Sequence, residues 1–174
     1  MRYEIVADTD PFSPRENCNL GTILYVSNRY VCGDECVSSE RIAEVMRSKD
    51  KIWLPVYAYV HSGVMLSTKP FSCPWDSGQL GCIYVSREDI LEEWNVQHIT
   101  ENIREQVLSR LRSEIDEYSK FLNGEVYGFR ILDDAGNEVD SCGGFYGREH
   151  AEEAAKEALL HAKGMRVLAL TATL

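Results

Sequence analysis

The sequence predicts a single α+β domain over residues 1–174, with a mainly antiparallel sheet packed with two longer and two shorter helices. Three observations support this class. About six segments have the alternation or the β-branched and aromatic composition of strands, and four have apolar residues at helical spacing. Strands and helices do not alternate regularly, so a doubly wound parallel sheet is not expected. The length suits one domain with a sizeable core.

The first part of the chain contains two predicted strands and a turn-rich segment. Every second residue from Tyr3 to Ala7 is apolar, which predicts a short opening strand. Residues 8–19 hold two prolines and several Asp, Asn and Ser residues and are expected to form a loop. Residues 22–31, TILYVSNRYV, are rich in β-branched and aromatic residues and predict a strand, continuous or broken near Asn28.

A short helix and a hairpin are predicted next. Apolar residues at helical spacing within residues 37–50 predict the helix. Residues 52–68 have the pattern of a hairpin with His61 at or beside its tip, and Pro55 suggests an edge position or a bulge in its first strand. Two serines are candidate N-caps of the helix, Ser38 and Ser39.

The middle of the chain predicts one more strand and two helices. Residues 82–86 have strand composition, and a helix follows with Ser86 as its N-cap and Asp89 three residues on. The longest helix is expected from Thr100 to about Leu122, where apolar residues recur every three or four positions. Asn123-Gly124 provides its stop.

The last part of the chain predicts a second hairpin and an alanine-rich helix. The hairpin begins with a strand over residues 126–132, turns at DDAGN and returns towards the pair Gly143-Gly144. The helix is expected to end at Gly164, and residues 165–174 to close the chain as a strand.

Composition excludes several classes of function. The net charge is −10 and the sequence has no cluster of Lys and Arg, so direct binding to nucleic acid is not expected. The acidic surface serves solubility, or it mimics a nucleic-acid backbone towards a basic partner. No apolar run approaches the roughly 20 residues that a membrane span needs. The first ten residues are acidic where a signal peptide would be apolar, and we therefore expect a cytoplasmic protein with reduced cysteines.

No metal and no cofactor is expected. Cys32 and Cys36 stand four residues apart, at the edge of zinc-site spacing, but no second pair completes a set of four ligands. Asp8, Asp10 and Glu16 offer oxygen ligands, but they do not have the regular ligand spacing of an EF-hand loop. Separate thiols and an ordinary turn explain the same residues, because Asp is common in turns for its own hydrogen bonds to the backbone.

The segment FSCPWDSGQLG, residues 71–81, allows a catalytic interpretation. His61, Cys73 and Asp76, with Ser77 beside them, supply a base, a nucleophile and a carboxylate within seventeen residues. No nucleophile motif surrounds them, so the catalytic residues are not identified by sequence.

A rigid turn between two strands is the favoured interpretation of the same segment. Pro74 fixes its own φ, Asp76 can accept backbone N–H groups, and Gly78 permits a positive φ. Trp75 is expected to anchor the loop on the core.

Several motifs together resemble a family of small accessory proteins carried by bacteriophages and related mobile elements. They are HSG followed by FSCPWDSGQLGCIYVS, a long amphipathic helix, VYGF, EVDSCGGFYG and a final helix rich in Ala and Glu. The N-terminal PFSPRENCNLGTI is similar to the opening segment of that family. The chain departs from the family pattern over Val31 to Ser39, where CGDEC places two cysteines.

The resemblance implies a setting rather than a chemistry. Small phage accessory proteins commonly bind and disable a host enzyme, so we expect an anti-CRISPR or anti-restriction inhibitor in the host cytoplasm. Its partner would be a host protein or a protein–nucleic acid complex. A small hydrolase or transferase and a structural or assembly protein of the virion are the alternatives. The expected partner-binding residues are Trp75, Asp76, Ser77 and Gln79.

Overall fold

A computed structural model describes residues 1–171 except Asn28, Ser62 and Pro74, with side chains as far as Gly164. The chain is divided into two compact units. The terminal unit is formed by Met1–Phe12 and Gly124–Leu174, and the central unit by Ser13–Asn123. The α+β class, the mainly antiparallel pairing and the two longer and two shorter helices confirm the predicted fold class.

Eight strands and four helices make up the described part of the chain. In chain order the strands are β1 (Arg2–Ala7), β2 (Thr22–Tyr25), β3 (Glu35–Cys36), β4 (Lys51–Val60), β5 (Val64–Ser67), β6 (Ser77–Ser86), β7 (Val126–Leu132) and β8 (Glu138–Tyr146). The helices are α1 (Ser39–Arg47), α2 (Arg87–Glu93), α3 (Glu101–Leu122) and α4 (Arg148–Thr171), and a 3-10 turn spans Pro14–Glu16.

The strands are divided between two sheets rather than joined in one. The terminal unit holds three strands in the order β1-β7-β8, all antiparallel. The central unit holds five strands in the order β3-β2-β6-β4-β5, and in that sheet the short β2–β3 pair is parallel. The site described below lies on the central sheet.

The helices of the central unit begin where their side-chain caps predict. Each cap accepts a hydrogen bond from the backbone N–H three residues on, which satisfies a donor that has no partner within the helix. The last helix of the unit, α3, stops at Asn123, and Gly124 follows with a φ of +70°. The three caps are Ser38, Ser86 and Thr100.

Two helices cover the two faces of the central sheet. The long helix α3 packs its apolar stripe on one face, and α1 packs on the other. On the α3 face the fully buried side chains include Val56, Ile83, Val85, Val107, Leu111 and Ile115. On the α1 face the buried cluster is smaller and consists of Leu24, Ile42, Val45 and Cys82.

Pro55 lies where the central sheet tolerates a missing N–H. Strand β5 pairs with β4 only from Tyr57 to Val60, so at Pro55 the strand has β6 on one side and no strand partner on the other. The register between β4 and β6 shifts between Val56 and Tyr57. Pro55 thus has the predicted edge-like position, whereas the extra residue at the register shift is Leu80 on β6 and not a residue of β4.

The outer edge of β5 is closed by side chains of α3. The backbone N–H of Leu66 donates to the hydroxyl of Ser119 at 2.8 Å. The side-chain amide of Asn123 donates to the backbone oxygen of Val64 at 3.0 Å. Main-chain groups that would otherwise be open at a sheet edge therefore have partners.

The terminal unit is a three-stranded sheet with α4 on one face. Phe129 and Ile131 on β7 pack against a helix face in which Ala151 and Ala155 are fully buried. A bulge bends β8, because Gly128 stands opposite the two residues Gly143 and Gly144.

Two sequence predictions of secondary structure are wrong. The helix α4 continues through Gly164 to Thr171, where a strand was expected, and residues 172–174 lie outside the described residues. A glycine inside a helix costs about 1 kcal/mol relative to alanine, which does not end a helix when good helix formers follow. The second strand is shorter than the predicted residues 22–31: it ends at Tyr25, before the expected break near Asn28, and the hydroxyl of Ser27 accepts the N–H groups of Arg29 and Tyr30.

Candidate functional site

The residues predicted to act together lie at one end of the central sheet. His61 directly follows β4, and Ser77 is the first residue of β6. The backbone N–H of Val60 donates to the backbone oxygen of Asp76 at 2.9 Å, so the end of one strand lies beside the start of the other. Cys73, Trp75 and Asp76 precede β6 in the segment that joins it to β5.

Trp75 does not anchor the loop, contrary to the sequence prediction. Its side chain is 92% exposed, the highest value among the large exposed apolar residues of the described chain. Phe71 makes the ring contact instead, 5.8 Å from the ring of Tyr59, which also lies 6.3 Å from the ring of His61. Phe71 and the backbone hydrogen bond between Val60 and Asp76 connect the loop to β4, and the indole of Trp75 is exposed.

The segment before β6 is not the glycine turn that the sequence predicted. The Ser77 hydroxyl donates to the backbone oxygen of Cys73. Gly78 lies within β6 opposite Ala58 and does not have a positive φ, so the prediction of a left-handed glycine there is wrong. Gly78 is extended because it pairs with β4 as the second residue of β6, which begins at Ser77.

The catalytic candidates lie at the same end of the central sheet. No hydrogen bond between a nucleophile and a base is found among them. The thiol of Cys73 lies 3.8 Å from a carboxylate oxygen of Asp76. Among the hydrogen bonds of the described residues, none joins the imidazole of His61 to either side chain. Activation of a thiol requires a base within hydrogen-bond reach, so the arrangement offers proximity and no activated nucleophile.

Gln79 borders an apolar groove between β6 and α1. The groove has a volume of about 470 Å³, and its apolar lining includes Val26, Ile42, Met46 and Leu80. The amide of Gln79 lies 3.6 Å from the sulfur of Met46 and donates to the backbone oxygen of Gly81 at 3.3 Å. A groove of this size and lining suits apolar side chains of a ligand or partner.

The start of β6 has an open backbone edge beside this groove. Strand β2 pairs with β6 only from Gly81 to Tyr84, and Val26 adds one bond, from its N–H to the backbone oxygen of Leu80 at 3.0 Å. Towards Ser77 and Gln79, no strand of the described chain pairs on this side.

The pairing with β4 determines which groups point to that open edge. In an antiparallel pair, hydrogen-bonded and non-hydrogen-bonded residue pairs alternate. Asp76 is hydrogen-bonded to Val60. The next pair, Ser77 with Tyr59, is therefore a non-hydrogen-bonded pair. The N–H and C=O groups of Ser77 therefore point away from β4. Gln79 lies at the register shift, where Leu80 has no partner on β4.

A buried ionic network connects the loop that precedes β2 to other elements. The sequence did not predict this network. The guanidinium of Arg15 donates two hydrogen bonds to Asp34, at 2.9 and 2.7 Å, and one to Glu114 at 3.1 Å. Glu114 also accepts the backbone N–H groups of Leu20 at 2.7 Å and Gly21 at 3.1 Å. Both carboxylates thus connect the loop to other elements through several bonds.

The charges of this network are mutually satisfied. Burial opposes the charged form of Arg15, but its bonds and charge interactions with Asp34 and Glu114 outweigh burial and raise the pKa of the guanidinium. A sequence signal existed, because Glu114 lies three residues after Leu111 on the apolar stripe of α3. Since every charge has its partner, the network braces the fold and leaves no group for a ligand.

The candidate metal ligands are occupied or separated. Cys32 is buried, whereas Cys36 is exposed and its thiol donates to the backbone oxygen of Ser27 at 3.3 Å. Asp8 accepts the N–H of Asp10 with one oxygen and the N–H of Gly144 with the other. Over the described residues, no group of three or more His, Cys, Asp and Glu side chains could hold a metal ion.

Comparison with known proteins adds no relative. No family model, curated protein or solved structure matches the chain. The resemblance to mobile-element accessory proteins therefore stays a prediction. Within the described part of the chain, no helix is long and apolar enough to cross a bilayer.

Proposed function

We propose that the protein acts by binding another protein through the start of β6. The binding surface, called here the β6 surface, consists of Trp75, the open edge at Ser77 and Gln79, and the groove beside α1. The observation that carries the proposal is the 92% exposure of Trp75 directly before that edge. Its proposed role is the inhibition of a host defence system, which rests on the resemblance to phage accessory proteins.

The β6 surface combines the two features by which sheets bind peptides. An open edge offers main-chain hydrogen bonds to an extended segment, and an adjacent pocket accepts one of its side chains. Trp is enriched among the residues that dominate interface energies, and its truncation commonly costs about 2 kcal/mol or more. We therefore propose an extended, partly apolar segment of the partner as the occupant of this surface.

The charge of the chain supports a basic partner. Acidic residues outnumber basic residues by 28 to 18, and the sequence carries no cluster for phosphate contacts. Complementary charge speeds association and disfavours wrong partners. A nucleic-acid-binding host complex presents such a basic surface, which is consistent with the proposed anti-CRISPR or anti-restriction role.

Affinity capture from host lysate tests the binding surface. We expect wild-type protein to retain a host protein, and Trp75→Ala to weaken that binding by roughly 30-fold or more. Phe12→Ala is the matched control, because Phe12 is also an exposed aromatic residue, at 78%, but belongs to the terminal unit. Equal binding by both variants would exclude the β6 surface.

A second variant tests the open edge separately from the indole. Gln79→Pro removes a backbone N–H at the register shift of β6, where the pairing with β4 is already interrupted and a proline is tolerated. We expect loss of partner binding with an unchanged far-ultraviolet circular dichroism spectrum. Retained affinity in a folded Gln79→Pro protein would show that the partner does not add a strand.

Phage plaquing tests the biological role. Hosts with and without CRISPR or restriction systems would express wild-type protein or Trp75→Ala. We expect wild-type protein to raise plaquing only on hosts that carry the targeted system, and Trp75→Ala to lose most of that effect. The absence of any difference across a broad panel of systems would contradict the proposed inhibition.

A further inference from the structure

Four basic residues from three separate segments line one cleft of the central unit. The cleft has a volume of about 190 Å³ and lies where β4 begins, α2 begins and α3 begins. Because the segments are far apart in sequence, no Lys and Arg cluster can be read from the chain. The basic residues are Lys49, Lys51, Arg87 and Arg104.

These cations are not neutralised by fixed partners. Lys49, Arg87 and Arg104 take part in none of the ion pairs among the described residues. The ammonium of Lys51 lies 4.5 Å from the centre of the Tyr84 ring, a contact that leaves its positive charge in place. The lining holds four basic and two acidic residues, so the cleft is net positive in a chain of net charge −10.

Two carboxylates and two apolar residues complete the cleft. Asp50 and Glu101 reduce the net positive charge, so the site favours a ligand with one or two negative charges over a polyanion. Ile52 and Ile99 exclude water from part of the wall, which strengthens the charge interactions that remain.

Backbone contacts fix the segments that carry the basic residues. The backbone N–H of Arg87 donates to the backbone oxygen of Asp50 at 2.8 Å, which joins the start of α2 to the start of β4. Thr100 caps α3, a helix of 22 residues, so the positive end of its dipole also lies at this cleft.

We propose that this cleft binds a single phosphate group, either inorganic phosphate or the terminal group of a phosphate monoester. Its volume is below the roughly 300–1,000 Å³ of pockets that enclose whole organic ligands, so one tetrahedral anion fits better than a complete nucleotide. Arg and Lys together supply the directed donors and point charges that phosphate groups prefer. The site is independent of the β6 surface and of the proposed inhibition.

Nuclear magnetic resonance titration of the full chain with inorganic phosphate tests the site. We expect saturable shifts of the backbone amide signals of residues 49–52, 87 and 99–104, and no saturation with chloride at equal ionic strength. Glycerol 3-phosphate is the second probe. Saturation by both identifies a phosphate-group site, and saturation by inorganic phosphate alone restricts it to the free anion.

Variants distinguish a specific site from general charge effects. The double variant Arg87→Gln with Arg104→Gln should weaken phosphate binding at least tenfold. Arg112→Gln should leave it unchanged, because Arg112 is exposed on the same helix but lines a different cavity. Glu101→Gln should tighten binding by removing a repelling carboxylate. Shifts that never saturate, or equal losses in the double variant and Arg112→Gln, would overturn the proposal.

Discussion

The two faces of the central sheet are covered by helices of very different length. The helix α3 has 22 residues and spans about 33 Å, whereas α1 has nine and spans about 14 Å. A ten-residue strand such as β4 is also about 33 Å long, so only α3 can cover its whole length. The difference teaches where stability and apolar binding can be separated: α3 covers most of its face, whereas the shorter α1 leaves an apolar groove at the start of β6.

The largest effect on stability is expected on the α3 face, at Glu114. Glu114→Ala leaves the buried guanidinium of Arg15 with one carboxylate fewer and two backbone N–H groups without an acceptor. We expect a loss of about 3–5 kcal/mol in the free energy of unfolding, measured by urea denaturation.

The control for this prediction lies on the same helix. Asp116→Ala removes an exposed ion pair with Lys120 and should cost no more than about 0.5 kcal/mol. A loss below about 1 kcal/mol for Glu114→Ala would show that the network does not hold the preceding loop.

A pair of apolar truncations compares the two faces directly. Leu111→Ala creates an enclosed cavity on the α3 face and should cost about 2–5 kcal/mol. Ile42→Ala should cost less, because Ile42 borders the open groove and the space it leaves is continuous with solvent. Urea denaturation of both variants checks the order, and a larger loss for Ile42→Ala would contradict the contrast between the faces.

Alkaline pH should act on the α1 face through a buried thiol. Burial raises the pKa of Cys82 to about 11, from an ordinary value of 9.0. Between these values the folded form holds a proton that the unfolded chain releases, so stability falls as pH rises from about 9 to 11. We expect this group to contribute a loss of about 1–3 kcal/mol.

Comparison of variants at pH 8 and pH 10.5 measures that contribution. Cys82→Ala should lose less stability over this interval than wild-type protein does. Cys142→Ala serves as the control for removal of a thiol, because Cys142 is exposed and belongs to the terminal unit. Identical pH dependence in wild-type protein and Cys82→Ala would contradict the assignment.

The smallest effect on stability is expected at Trp75, the most exposed position of the β6 surface. Trp75→Ala should change the free energy of unfolding by no more than about 0.5 kcal/mol, because the indole packs against little of the chain. Thermal unfolding checks this value. A loss above about 1.5 kcal/mol would mean that Trp75 supports the fold after all, and would remove the main argument for a binding role.

Local signals in the sequence predicted much of the fold. Caps such as Ser86 and Thr100, the stripe of α3 and the hairpin turn at Asp133 depend on residues within a few positions of one another. Gly164 misled the prediction because its cost inside a helix is small compared with the preference of the residues around it.

The candidate site could be predicted only in part. The four expected partner residues are close together in sequence, and they do lie along the start of β6 or directly before it. The exposure of Trp75 could not be predicted, because local sequence does not show which aromatic residue of the segment packs on the sheet, and here it is Phe71 that contacts Tyr59 of β4. The basic cleft was missed for the same reason, since its side chains come from segments that meet only in the fold.

Another strand cannot readily be added to the central sheet at the outer edge of β5. A second copy that tried to extend the sheet there would have to displace Ser119 and Asn123 from the main chain. The α3 helix thus stabilises the core and also disfavours edge-to-edge aggregation at β5. The central sheet can therefore leave the backbone edge at the start of β6 open without offering the same main-chain groups of β5 to a second copy.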